Sequence, residues 1–153
     1  MEKLVYAWRL DASTVGDVRS GRKILTELPT HTGSCAMDAA YDAYDVYEQV
    51  EANGADPIIK PRKNARTQTR DARGRALRHR LRHPTRWQRA YDRRPIVESV
   101  NYAVKRRWGD RLHRHGLRRQ RKETGLRILT YNSNMVNRAW IRQGRQGITG
   151  REL

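Results

Sequence analysis

The stretch from residue 91 to 105, YDRRPIVESVNYAVK, constrains this chain more than any other. Read as a helix of about 100° per residue with Tyr91 at zero, Arg94, Glu98 and Lys105 fall at about 300°, 340° and 320°. Ile96, Val97, Val100, Ala103 and Val104 fall between roughly 120° and 240°, on the other side. Pro95 is tolerated only in a first turn, so the regular helix is expected to begin near Arg94, with Tyr91 just outside it. One side is suited to pack on a core. The other presents a carboxylate, two cations and a phenol. As helix physics alone, Arg94 and Glu98 form an ordinary i,i+4 pair on a solvated face, a pair that contributes about 0.2–0.5 kcal/mol.

Charge narrows the range of partners. Residues 1–56 carry five basic and ten acidic side chains, whereas residues 57–153 carry 28 basic and six acidic ones, within a net charge of +17. Such a field selects polyanions, nucleic acid first among them. At 153 residues, with 37 % hydrophobic content and no Phe, the chain holds one modest core built on Val, Ile, Leu, Tyr and Trp. There is no long apolar run, and the opening MEKLVYAWRL is broken by Arg9, so neither a membrane span nor a signal peptide is expected. The lone Cys35 excludes an intrachain disulfide and a cysteine zinc site. A cytoplasmic, nucleoid-associated location follows as the expectation.

Taken in order, residues 3–10 (KLVYAWRL) read as a strand. Asp17 is placed to cap a short helix over residues 18–28, which Pro29 ends. Residues 33–38 (GSCAMD) form a short apolar run closing on a carboxylate. A helix over 43–52, with Val46 and Val50 as its apolar pair, is closed by Asn53-Gly54. Residues 58–60 read as a further short strand, and the alternation argues an α/β fold. Residues 61–83 carry nine Lys or Arg against Asp71 alone and read as an extended, mobile basic insertion. Pro84 opens a short helix through Trp87 to Tyr91. A basic block follows at 111–122, then an amphipathic helix on Leu126, Leu129, Val136 and Trp140, and a tail from residue 144.

The sequence Met37-Asp38-Ala39-Ala40-Tyr41-Asp42 carries a D-x-x-Y element. Ile58-Ile59-Lys60-Pro61-Arg62-Lys63-Asn64-Ala65 follows it, and Tyr91, Arg94, Glu98 and Lys105 complete a Y-x2-R-x3-E-x6-K spacing. In this order, across about residues 4–135, these elements resemble the C-terminal part of prokaryotic insertion-sequence transposases of the DDE type, families four and five. The resemblance implies a ribonuclease-H-like core in which three carboxylates hold two Mg²⁺ or Mn²⁺ ions about 4 Å apart. Carried over by position, Asp38 is the second carboxylate and Glu98 the last. Tyr91, Arg94 and Lys105, with Arg62 and Lys63, are the DNA contacts, since guanidinium and ammonium groups suit phosphate. The implied partners are transposon ends and target DNA, with a homo-oligomer or a full-length transposase as a protein partner, and no membrane.

The chain also departs from that pattern. Residues 3–10 resemble the family's third strand, which leaves the first two strands and the first Asp without a counterpart. Asp11 and Asp17 read as loop or cap carboxylates rather than substitutes. The expected architecture is therefore an incomplete ribonuclease-H-like α/β core over 1–60, the insertion over 61–83, the signature and C-terminal helices over 84–143, and a tail over 144–153.

Other residues keep two readings. Trp87 and Trp108 pack, or offer platforms for bases. His31, His79, His83, His113 and His115 are loop or DNA-facing side chains, and Tyr41, Tyr44 and Tyr47 follow a packing spacing. The 62–82 run is a solvated linker or a clamp on the DNA backbone. A basic nucleic-acid-binding protein without chemistry remains the alternative to a transposase fragment. With two of three carboxylates, the chain alone is expected to neither cleave nor join end-bearing DNA in Mg²⁺. A gel assay for nicked and joined products tests this, and robust turnover refutes it.

Overall fold

The structure is a computed structural model that describes residues 3–30 and 33–149. Its chain divides into two compact units. One is Ser13–Val97, and the other combines Met1–Ala12 with Glu98–Leu153. The first is called here the sheet unit and the second the helical unit. His31 lies outside the described residues.

The sheet unit opens with helix α1, Asp17–Glu27. Gly16 occupies its N-cap, so Asp17 sits in the first turn instead of capping it, where its charge still suits the helix dipole. Leu28 leaves the helix in an extended conformation, as the residue before Pro29 must. Strand β1, Ser34–Met37, pairs in parallel with β2, Asp56–Ile59, in the register Ser34↔Asp56 to Met37↔Ile59. Helix α2, Tyr44–Ala52, is the crossover between them. It buries Val46, Tyr47 and Val50. Gly54, at φ 73°, turns the chain back toward β2 because only glycine adopts that conformation without strain. The Asn53 amide donates to the Leu25 carbonyl at 2.6 Å, tying α2 to α1. Leu25, Val46, Tyr47, Val50, Ala55, Ile59 and Ala72 form the core.

Residues 61–83 are not extended throughout. They contain helix α3, Ala72–Arg82, which packs on α2 and buries Ala72, Gly74 and Leu77. Asp71 caps it, accepting from the Gly74 N–H at 2.7 Å. Arg78 donates to the carbonyls of Thr67 and Thr69 at 2.7 and 2.6 Å, which fastens the preceding loop to the helix. Gly74 lies against that loop: a Cβ there would stand 2.0 Å from the Thr69 carbonyl oxygen. Helix α4, Pro84–Tyr91, begins on its proline and lies against both strands with Trp87 buried. Trp87 stacks on Tyr91 at 5.0 Å between ring centres and takes the Arg80 guanidinium on its face. It is a packing residue.

The strongest polar contact in the sheet unit is centred on Asp42. Its side chain is fully buried and forms a two-pronged ion pair with Arg73 of α3, both contacts 2.7 Å. It also accepts from the Arg62 backbone N–H at 2.7 Å and from the Tyr47 hydroxyl at 3.1 Å. One carboxylate thus joins the turn after β1, the start of α2, the turn after β2 and α3. Burial would raise its pKa. The Arg73 hydrogen bonds and charge, the Arg62 N–H and the Tyr47 hydroxyl outweigh burial and hold it below the usual aspartate range. Burial and the neighbouring Asp42 charge raise the Tyr47 phenol, and Asp42 likewise raises the Arg73 guanidinium.

In the helical unit, residues 3–10 form no strand. Their backbone partner is a side chain. The Asn132 amide accepts from the Val5 N–H and donates to the Val5 carbonyl, at 3.0 and 2.8 Å. It takes the place a neighbouring strand would occupy. Trp8 lies over Gly125, where a Cβ would stand 3.0 Å from its ring. Helix α5, Ile96–Trp108, begins at the junction of the two units. Of its expected apolar side, Val100 is buried and Ala103 and Val104 are half-buried, whereas Ile96 and Val97 are exposed.

Helix α6, Leu117–Thr149, starts earlier than expected and continues past Gly144. Leu126, Leu129, Val136 and Trp140 face outward, Trp140 being 79 % exposed. The inward side is instead set by Gly125, Arg127, Tyr131 and Asn132. Arg127 donates to the Gly109 and Arg111 carbonyls and to Glu123, while Glu123 accepts from the His113 and Arg114 N–H groups. This pair holds the loop between α5 and α6.

Three outcomes follow from the sheet unit. Removing one partner of a buried ion pair costs about 3–5 kcal/mol, so Asp42→Ala should lower stability by that much in urea titrations. An aspartate with a depressed folded-state pKa contributes stability above its unfolded value of about 3.9. That stability should be lost as pH falls through the folded-state value, and the loss should be absent in Asp42→Ala. Gly74→Ala should destabilise although alanine is the better helix former by about 1 kcal/mol, because the Thr69 carbonyl has no room to yield.

Candidate active site

Asp38 directly follows β1, at the carboxyl end of a parallel strand, where open α/β sheets place their ligand sites. Its backbone and side chain start the single 3-10 turn Ala39–Tyr41. Oδ1 accepts from the Ala40 N–H at 3.0 Å, and the carbonyl accepts from the Tyr41 N–H at 3.2 Å. The turn ends at the buried Asp42, so the anchored carboxylate fixes where the half-exposed one stands. The Tyr41 side chain reaches α1. Its hydroxyl donates to the Asp17 carbonyl at 3.3 Å and its ring lies on Gly21 of α1. Burial raises the Tyr41 phenol, as do the charges of Asp38 and Asp17.

The second oxygen of Asp38 meets Arg94. Arg94 Nη2 stands 3.3 Å from Asp38 Oδ2, with side chains 32 % and 40 % exposed. The two residues are 56 apart in sequence. Arg94 belongs to no regular helix. Residues 92–95 are a hydrogen-bonded turn between α4 and α5, in which Arg94 N–H donates to Tyr91 and Ile96 N–H to Arg93. The expected continuous stripe is therefore broken: Tyr91 ends α4, half-buried on Trp87, and α5 opens at Ile96. Pro95, which has no N–H to place, accounts for the break.

Arg62 is also beside Asp38. Its Nε donates to the Ala39 carbonyl at 3.4 Å and its side chain is exposed, as is that of Lys63. The sheet unit thus gathers Asp38, Arg94 and Arg62, with Lys63 next in the chain. Glu98, in the first turn of α5, and Lys105 are exposed residues of the helical unit.

The remaining carboxylates near these segments have other work. Asp42 is committed to Arg73. Asp11 is held by Arg9 at 2.6 Å and by Arg121 at 2.8 Å, as a structural loop carboxylate. Among the described residues no group of three or more His, Cys, Asp or Glu is arranged to hold a metal ion. His79 and His83 pack ring against ring at 5.1 Å, and the His113 backbone bonds to Glu123. Trp108 is half-buried under the Arg107 guanidinium and helps line a cavity of about 330 Å³ with Ala103, Tyr131 and Met135. Burial pushes the Cys35 thiol up to about 11, which leaves it unreactive at neutral pH. No described helix is long and apolar enough to cross a membrane.

Asp42 and Arg73 were not singled out by sequence. The available signal was the acid directly after Tyr41, and Asp71 three residues before Gly74 as a cap for the helix that carries Arg73.

Compared with known proteins, residues 1–133 match the family described as transposase DDE domain. No curated protein and no solved structure matches the chain. That family implies a ribonuclease-H-like fold and metal-dependent processing of DNA. The match extends from the residues ahead of Asp38 through Arg94, Glu98 and about half of α6. The chain belongs to the transposase DDE domain family.

Proposed function

We propose that this chain is part of the catalytic core of an insertion-sequence transposase of families four and five, acting on DNA phosphodiesters. In this reading Asp38 and Glu98 hold divalent cations, Mg²⁺ or Mn²⁺. Tyr91, Arg94, Lys105, Arg62 and Lys63 bind the DNA backbone. The observation that carries it is the meeting of Asp38, from the D-x-x-Y element, with Arg94, from the signature run, at the carboxyl end of a parallel strand. Two motif residues far apart in sequence have no need to meet if each is only a surface charge.

The donor set fits the ions in kind. Mg²⁺ takes oxygen ligands and is commonly held by one or two carboxylates, with waters and substrate phosphates filling its remaining positions. Asp38 is half-exposed and keeps lone pairs beyond those used by Ala40 and Arg94. A bound Mg²⁺ supplies Lewis-acid activation of the scissile phosphodiester. The chain's own residues do the rest. Arg94 and Lys105 neutralise phosphate charge, Arg62 and Lys63 hold backbone beside the cut, and Asp42 keeps Asp38 in place. With two carboxylates where the family uses three, the chain by itself does not turn over DNA.

Calorimetric titration with Mn²⁺ tests the reading against that of a basic DNA-binding protein without chemistry. Binding should be lost in Asp38→Ala and weakened in Glu98→Ala, with the fold retained by circular dichroism. Arg62→Ala and Lys63→Ala should each lower the salt slope of DNA binding by about one. Metal binding unaffected by either carboxylate substitution sinks the transposase centre and leaves the simple DNA binder.

A further inference from the structure

We infer that the outward face of α6 is the surface on which two copies of this chain pair, antiparallel and crossing at Ser133. The helix is inverted for a surface helix. Its inward side carries Arg127, Tyr131 and Asn132, while Leu126, Leu129, Val136, Trp140 and Ile141 stand 50–79 % exposed. Residues 126, 129, 133, 136 and 140 repeat at intervals of three and four, the apolar seam of paired helices. Its polar members ask nothing of a partner. The Ser133 hydroxyl donates to the Leu129 carbonyl at 3.0 Å, and the neighbouring Thr130 hydroxyl donates to the Leu126 carbonyl at 2.9 Å. Both can be covered with their donors already satisfied. A contiguous exposed apolar face of this kind marks an interaction surface.

Charge and size identify the occupant. Charged residues make up 32 % of the chain, yet from Leu126 to Ile141 they are Arg127, which is buried, and Arg138, about 160° round the helix from the seam. A neutral face does not suit DNA, whose phosphates call for cations. It is the kind of surface through which two copies of a chain at +17 can meet without setting charge on charge. The seam is also self-complementary. Reversed about Ser133, it sets Leu126 against Trp140 and Leu129 against Val136, and the small serine meets its own copy where the helices come closest. A two-fold axis there closes the pair. Direction follows from the seam's continuation, which runs toward the start of α6 onto Lys122 and Arg119, both exposed. Parallel copies would set each of these cations against itself, whereas antiparallel copies set Lys122 opposite Gly144. The seam spans about 24 Å at 1.5 Å per residue, less than a permanent interface offers. The pairing is therefore reversible, with a dissociation constant on the order of micromolar. Neither Asp38 nor a metal ion enters it, so it stands apart from the transposase reading.

Sedimentation velocity of the full chain, freed of DNA, tests the pairing. The unaltered chain should pass from monomer to dimer across about 1–100 µM. Raising the salt to about 0.5 M should tighten the dimer by screening repulsion between like-charged copies. Leu129→Glu and Trp140→Glu, both at exposed positions, should keep the circular dichroism of the unaltered chain and raise the dissociation constant about tenfold or more. Leu129→Cys mixed with Val136→Cys, each in a Cys35→Ala background, should give a disulfide-linked heterodimer on oxidation, while either variant alone should not crosslink. Crosslinking of each variant to itself instead overturns the antiparallel arrangement. A chain that stays monomeric, or a dimer indifferent to both glutamate substitutions, overturns the pairing and leaves the face to a partner of another sequence. A dimer that dissolves in salt is bridged by nucleic acid and overturns it as well.

Discussion

Asp42 is the residue on which the geometry of the sheet unit depends. Its carboxylate is out of solvent and satisfied by four donors, one from Tyr47 five residues on and the others from Arg62 and Arg73, 20 and 31 residues on. Taking such a charge out of water costs several kcal/mol, which only close, multiple, charge-assisted contacts offset. The arrangement therefore works as all or nothing: remove one donor and the rest are left with a buried charge. A contact of that kind fixes position rather than adding much net stability. The turn that it fixes is the one that carries Asp38.

The chain's carboxylates divide by environment, and the division assigns their tasks. Asp42 is buried and permanently paired. Asp11 is clamped between Arg9 and Arg121, and Glu123 secures the 109–116 loop with Arg127. Burial alone would raise the Glu123 carboxyl, but two backbone N–H groups and Arg127 hold it below the usual glutamate range. Asp38 is different: half-exposed, at a strand end, with one weak cationic partner. Of these carboxylates it is the most exposed. Asp42 is absorbed into a buried structural pair, whereas Asp38, the residue that the D-x-x-Y element marks, stays half-exposed.

Sequence reasoning reached elements whose signals are local. Pro84 opens α4, Gly54 turns α2 into β2, and Val46 with Val50 marks the buried side of α2, because capping, positive φ and i,i+4 burial each act within a few residues. The two strands were also legible from their β-branched and apolar runs. Residues 3–10 carry the same composition, yet their hydrogen-bond partner is the Asn132 amide, and no local pattern reveals a partner 127 residues away. Helix α3 was obscured by its own arginines. Its apolar contribution is only Ala72, Ala76 and Leu77, and Arg73 and Arg78 serve inward-facing structural roles that composition reads as solvated charge. The same mechanism misled the reading of α6, where Arg127 is buried and Leu126 and Leu129 are not. For the candidate site, the motif spacing identified Asp38 and Arg94, but neither their contact nor Asp42 behind it.

The account stands on Asp38 being where a divalent cation enters this chain. Paramagnetic broadening by substoichiometric Mn²⁺ in amide NMR spectra locates that cation directly. The backbone signals of Ala39, Ala40 and Tyr41 should broaden first and together. Broadening centred on Asp45 or Glu48 of α2, with residues 39–41 untouched, would contradict it.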